Sequence, residues 1–572
     1  QFLIDLFKSA SDSFPLRVNI DTLKLEHTRF RYNELLVDQL NLDLGLPIFS
    51  KDSLDLQVNS LHLRARLDRL DASFEADLNG SLDSVFAQNM KLAFKNQTLF
   101  LGDIDVFHPT KLEAMYVKAR CNDIYCSYTL LQDILSQLQE QPAQLPEILK
   151  QLGYVRYRGD FQGRLENLNL QGTFSTAHGA LNVAGNVKGD TTLQSFDFQG
   201  HLSTTSFQLG NFLAQTDLGA IALKADLKGR IDANQLAYCT VKSDIQNFEY
   251  KGYQYQHILF DGEMRHEEIN GKITIEDENL RLNINGLADW SEEDTRLDLV
   301  MKLADFNPNM LHLITEYPDL SLGATTYISL YTSGTPSELL DNMTGYVIVD
   351  SLLINNGDKH TTMEQFKLLF DTENIGEVPT HHLRLQSDYV TANLNGAFQY
   401  RTMPRTIQGL LHNYLPSIVK QPVTTNHSNN MVDFYAYFRN LDSITQVLDL
   451  GVELPYFPTI KGYIREQNRQ VGLQAFIPQI NTGKVRMQDI TVSLDNQDDQ
   501  LGLSVFVYNH LPKDNPTAAK VGDIKANLHL NVKNDELDLK VELGNTDQVR
   551  NEGIIHAKSK LALYNDKPAF DI

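Results

Sequence analysis

One four-beat phrase recurs along this chain and constrains its fold more than any other feature. Two apolar residues stand at alternate positions, a glycine follows in the same phase, and another apolar residue closes the phrase. It reads Ala76-Leu78-Gly80-Leu82, Leu168-Leu170-Gly172-Phe174, Leu181-Val183-Gly185-Val187 and Phe196-Phe198-Gly200-Leu202. It returns as Ala225-Leu227-Gly229-Ile231, Ile258-Phe260-Gly262-Met264, Leu282-Ile284-Gly286-Ala288 and Ala392-Leu394-Gly396-Phe398. Successive strand side chains point to opposite faces, so all four positions of each phrase share one side. A glycine inside a strand packs nothing and weakens it. Its repetition marks a sheet that bends toward that side, or one that admits something close against it.

The same alternation runs through Leu40-Leu42-Leu44-Leu46, Leu54-Leu56-Val58, Leu297-Leu299 and Leu501-Leu503-Val505-Val507. This is the pattern of antiparallel strands with one apolar and one solvated face. Acidic clusters such as Glu276-Asp277-Glu278-Asn279 read as hairpin tips, since they lack the ligand spacing of a calcium loop. A strand with its turn takes roughly 12–14 residues, so the chain supplies on the order of 40 strands and ~200 Å of sheet. An open sheet of that size twists or curls. The expected fold is mainly β: a long curled antiparallel sheet forming a U-shaped groove, with a few short helices. Helical patterns occupy residues 128–138, 307–313, 406–414 and 441–448, and Thr335-Pro336-Ser337-Glu338 reads as a capped helix start. Residues 1–120 form a first groove segment, 121–152 a helical insertion, and 153–420 a repetitive groove segment. A polar loop over 420–430 precedes a continuing groove over 431–572. No Gly/Ser- or Pro-rich linker separates them, which favours one continuous body. Both ends read as interrupted, as in a fragment of a longer protein.

A net charge of −23 opposes nucleic-acid binding and docking on an anionic membrane surface. No apolar run approaches the roughly 18–20 residues that span a bilayer. Cys121, Cys126 and Cys239 make no disulfide framework; Cys121 and Cys126 either close a small loop or stay as thiols. The chain has no phosphate-binding loop, dinucleotide fingerprint, zinc-protease motif or nucleophile elbow. His381 and His382 point to opposite faces of a strand and so share no metal. Arg158-Gly159-Asp160 reads as turn chemistry. The expectation is a non-enzymatic protein without metal or cofactor.

The candidate groove face comprises Leu78, Gly80, Leu82, Leu170, Gly172, Phe174, Val183, Gly185, Phe196, Phe198, Gly200 and Leu202. It continues through Leu223, Leu227, Gly229, Ile231, Ile258, Phe260, Gly262, Leu282, Ile284, Gly286, Leu394, Gly396 and Phe398. Two arrangements satisfy this pattern. The face packs on a second sheet of the same chain, as a filled solenoid or adhesin, or it stays open and shelters acyl chains.

The stretch Phe207-Gln208-Leu209-Gly210-Asn211-Phe212, with Leu218-Gly219-Ala220-Ile221-Ala222-Leu223-Lys224-Ala225-Asp226-Leu227-Lys228-Gly229, resembles the AsmA-like superfamily. It is most similar to the TamB (translocation and assembly module) branch of Bacteroidetes type. Residues 16–32, 37–46 and Met343-Thr344-Gly345-Tyr346-Val347-Ile348-Val349 resemble that branch in rhythm too. The resemblance implies a β-taco body spanning the periplasm of a Gram-negative bacterium. It implies an inner-membrane anchor and a C-terminal domain outside this sequence, and an outer-membrane β-barrel assembly partner. The function it implies is outer-membrane biogenesis, by phospholipid transport or by assisting outer-membrane proteins through strand-edge templating.

Overall fold

The computed structural model describes residues 18–32, 35–50, 53–67, 71–95, 97–138, 150–164, 166–189, 195–232, 235–290, 295–334, 338–373, 379–422, 429–483, 485–497, 499–509, 523–545, 551–564 and 567–571. The protein is mainly β, antiparallel throughout, and not closed into a barrel. Two compact units divide between His266 and Glu267.

Unit 1 holds β1 (Val18–Tyr32), β2 (Leu35–Ser50), β3 (Ser53–Leu67), β4 (Ala72–Ser81), β5 (Ser84–Phe94), β6 (Gln97–Phe107) and β7 (Tyr116–Ser127). There follow β8 (Tyr154–Arg164), β9 (Asn167–Thr176), β10 (Gly179–Gly189), β11 (Ser195–Gln208), β12 (Leu218–Asp232), β13 (Gln235–Tyr250) and β14 (Tyr253–Arg265). Each strand pairs with its successor in sequence, a plain meander.

Unit 2 is itself a meander, opening with β15 (Glu268–Asp277), β16 (Leu280–Trp290), β17 (Thr295–Phe306), β18 (Leu320–Thr332), β19 (Thr344–Asn356), β20 (Lys359–Glu373), β21 (Thr380–Ser387) and β22 (Val390–Ala397). Its later strands are β23 (Met431–Phe438), β24 (Thr459–Arg465), β25 (Gln470–Asn481), β26 (Arg486–Gln497), β27 (Gln500–Asn509), β28 (Ile524–Lys533), β29 (Glu536–Asn545), β30 (Glu552–Tyr564) and β31 (Lys567–Asp571). There are 31 strands among the described residues, individual strands running to as many as 16 residues.

Among the described residues, α-helices that interrupt the strands include α1 (Tyr128–Leu138), α2 (Leu209–Leu213), α3 (Met403–His412) and α4 (Leu441–Val447). Ser127 caps α1, its hydroxyl oxygen accepting the Leu130 N–H at 3.2 Å. The insertion expected over 121–152 is narrower, because residues 121–127 complete β7. Residues 307–313 form hydrogen-bonded turns, Leu311 N–H donating to the Asn307 carbonyl, rather than a helix. The capped start at 335–337 and most of the 420–430 loop lie outside the described residues.

Candidate functional site

Residues directly opposite each other in an antiparallel pair share a face, so the register traces the apolar side across each unit. In unit 1 one row passes from Leu25 through Leu42, Leu61, Leu78, Ala87, Ile104, Ala119 and Phe161. It goes on through Leu170, Gly185, Gly200, Leu227 and Val241 to Gly262. All fourteen strands contribute, and no member is polar. The next row, on the other face, reads Lys118, Gln162, Asn169, Asn186, Gln199, Lys228, Thr240 and Glu263. One residue of slip in any pairing would mix the two rows.

Unit 2 carries its own row, from Gly286 through Leu299, Ile328, Val347, Leu368, Leu385, Ala392 and Ala436. It continues through Ile460, Ala475, Val492, Val505 and Leu528 to Val541.

The glycines act in two ways on this face. At Gly185 and Gly200, cross-strand partners, the backbones themselves come together: a Cβ on Gly200 would stand 2.6 Å from the Ala184 oxygen and 2.7 Å from the Gly185 Cα. A flat ladder keeps strands about 4.7–4.9 Å apart, so this approach means the sheet folds over toward the apolar side there. At Gly229 a ring joins the backbone, the Tyr238 carbonyl oxygen also standing 2.5 Å from the Cβ position. A Cβ would meet Phe198 Cζ at 2.5 Å, so Phe198 lies across its opposite number rather than projecting away from the sheet. Aromatic cover of this kind offsets the packing lost at a strand glycine.

Burial separates packed from open stretches. At the start of unit 1, Leu42, Leu44, Leu46, Leu56 and Leu61 form a closed core, with Leu78 and Leu82 packed against it. Leu82 itself stands in the turn after β4. Further along, Leu170, Phe174, Val183, Phe196, Phe198, Leu202, Leu223, Leu227, Ile231 and Phe260 are all only half-buried. Ile258 is the exception among them, at 8% exposure.

Between β7 and β10 the open stretch deepens into a cavity of about 480 Å³ lined by Ile124, Cys126, Val155, Tyr157, Phe161, Leu168, Leu170, Phe174 and Val187. That size lies within the roughly 300–1,000 Å³ of small-molecule pockets. Its few polar atoms are occupied or neutral. The Tyr157 hydroxyl donates to the Asp160 and Gln171 carbonyls at 3.0 and 3.2 Å, and burial raises its pKa. Burial also raises the Cys126 thiol and, with the charge of Asp160 adding, pushes Cys121 up to about 11. No charge forms at this wall near neutral pH.

Leu170 and Phe174 are the residues expected on the groove that line this cavity. Leu168 and Val187 belong to the same phrases. Ile124 and Cys126 fall within the expected 121–152 insertion, but lie on β7. Val155, Tyr157 and Phe161 were hidden because Arg158-Gly159-Asp160 is not a turn: it lies in mid-β8, Gly159 facing Gly172. Cys121 and Cys126 both lie on β7, five residues or roughly 16 Å apart in extended chain, which rules out a bridge between them. All three cysteines are free.

In unit 2, Leu282, Ile284 and Leu394 keep the half-buried state, whereas Phe398 stands beyond the end of β22 and is 2% exposed. Its ring packs 4.6 Å from that of His381, which fits opposite Gly396 on the apolar side. His381 Nε2–H donates to the Phe398 carbonyl at 2.8 Å. His382 faces the other way, 3.0 Å from Asn395 Oδ1. Among the described residues there is no group of acidic, histidine or cysteine side chains placed to hold a metal, and no helix long and apolar enough to cross a membrane.

No family model, no curated protein and no solved structure matches this chain.

Proposed function

We propose that this protein is a non-enzymatic conduit whose apolar face carries phospholipid acyl chains. The observation that carries the reading is the unit 1 row from Leu25 to Gly262, apolar in every strand, half-buried over much of its length, and opening into a cavity walled by uncharged side chains. Exposing a methylene costs about 0.8 kcal/mol, so a chain of ~16 carbons faces on the order of 10 kcal/mol on entering water. A continuous hydrocarbon-lined face lowers that barrier by solvation alone and requires no reacting group. The AsmA-like resemblance extends the proposal to the periplasm: anchorage in the inner membrane, a β-barrel partner in the outer membrane, and transfer of phospholipid for outer-membrane biogenesis.

The strand-templating alternative needs free edges. Pairing on both sides of every strand from β2 to β13 and from β16 to β30 favours the groove reading over it. A filled solenoid accounts for the Leu42–Leu61 core but not for the half-buried side chains after it.

The test uses adjacent residues of opposite face. A photoreactive side chain at Phe198 or Leu227 crosslinks phospholipid in living cells, whereas one at Gln199 or Lys228 does not. Equal labelling from both faces, or none from either, refutes the reading.

A further inference from the structure

One segment of unit 2 leaves the sheet and returns across its apolar side. After β22 the chain enters α3 and then residues 413–419, where Tyr414 is buried against Leu501 and Val532. Leu415 packs on the same cluster. Leu501 shares the face of Val505, and Val532 pairs with both Leu501 and Leu537, so the segment occupies the margin of the apolar side over β27 to β29.

Its attachments fall into two groups. The root is Asn430, fully buried, whose side chain donates to Thr402 and Thr406 hydroxyls at 2.9 and 2.7 Å and accepts the Gln399 N–H at 2.9 Å. The far attachment joins polar contacts to the buried Tyr414 ring. The Asp535 carboxylate, in the β28–β29 turn, accepts Ser417 N–H at 3.0 Å and Ser417 Oγ–H at 2.7 Å. Asp535 N–H donates to the Tyr414 carbonyl at 2.9 Å, and Asn496 donates to the Tyr414 hydroxyl at 2.7 Å.

We propose that residues 399–419 are an autoinhibitory strap, rooted at Asn430 and latched at Asp535, that competes with hydrocarbon for the β27–β29 margin of the apolar face. The proposal rests on the acyl-chain reading above. Tyr414 and Leu415 sit on the surface a ligand's chain would cover, so releasing the latch exposes that surface without altering any strand. Root and latch are both buried, but the latch gathers at one carboxylate and one ring, Asp535 and Tyr414, so changes at these two residues free the far end while the Asn430 root stays in place. Of the four hydrogen bonds at the latch two are charge-assisted, and weakening these shifts the open population by roughly tenfold.

The experiment incubates the intact protein with phosphatidylethanolamine vesicles bearing a photoreactive acyl chain and locates crosslinked peptides by mass spectrometry. Asp535→Asn removes the carboxylate charge while keeping a residue tolerant of the turn's positive φ of 66°. The double variant Tyr414→Ala with Ser417→Ala leaves the sheet untouched. Both variants should raise crosslinking within residues 500–532 by roughly tenfold and leave crosslinking at Leu170 and Phe174 unchanged. Labelling at Leu170 and Phe174 without a rise over 500–532 overturns the strap and spares the acyl-chain reading. Absence of labelling in both places overturns both.

Discussion

Replacing Gly200 with alanine separates a flat sheet from a folded one by the sign of its effect. Gly200 has no left-handed backbone conformation to protect, so in a flat strand the substitution should stabilise by about 0.4–1 kcal/mol through the unfolded chain. Here the new Cβ would stand 2.6 Å from the Ala184 oxygen and 2.7 Å from the Gly185 Cα. Both are roughly 0.8 Å or more short of ordinary contact, and both are backbone of the paired strand. Overpacking of this kind costs about 1–3 kcal/mol. The net expectation is destabilisation by about 1–2 kcal/mol, or amide exchange in β10 to β12 roughly 5–30 times faster. Hydrogen exchange on the intact protein reads this locally, which matters because a chain with two units does not unfold as one. Gly553→Ala is the control: nothing lies within 4 Å of its Cβ position, so exchange there should hold or slow. Unchanged or slower exchange around Gly200 would refute the claim that the sheet folds over its glycines.

Leu170→Asp, placing a carboxylate in the apolar cavity, should abolish phospholipid co-purification while circular dichroism retains its β signature. His381 gives a pH dependence. Desolvation depresses its folded pKa, against the opposing pull of the Phe398 carbonyl and Asp341, with His382 adding to the depression. Its stabilising contribution is therefore complete above the unfolded value of about 6.5 and is lost as pH falls through the lower folded value. Protection of β21 amides, corrected for intrinsic rates, should decline across that window, and His381→Gln should flatten the profile. The Cys121 thiol, pushed up to about 11, should alkylate roughly a hundredfold more slowly at pH 8 than a free cysteine, measured by iodoacetamide mass labelling.

The two faces were legible in the sequence because the strand period is two and the meander pairs neighbours. Once Leu170 faces Gly185 and Gly185 faces Gly200, the row follows from alternation alone. Bending at the glycines was legible too, but not that Phe198 covers Gly229, since that depends on which residue a strand meets across the ladder. Arg158-Gly159-Asp160 misled because Gly-Asp favours turns locally, while pairing on both sides of β8 overrides that preference. The helical pattern over 406–414 gave no sign of where residues 413–419 go: their place is set by Tyr414 meeting Leu501 and Asp535 accepting Ser417, contacts more than eighty residues away in sequence.

The most direct test weighs the molecule itself. Native mass spectrometry after gentle extraction should record the chain carrying additional mass in phospholipid steps, lost on collisional activation and absent from Leu170→Asp. A bare polypeptide mass for the wild-type protein under the same conditions would contradict an apolar face that stays open to hydrocarbon.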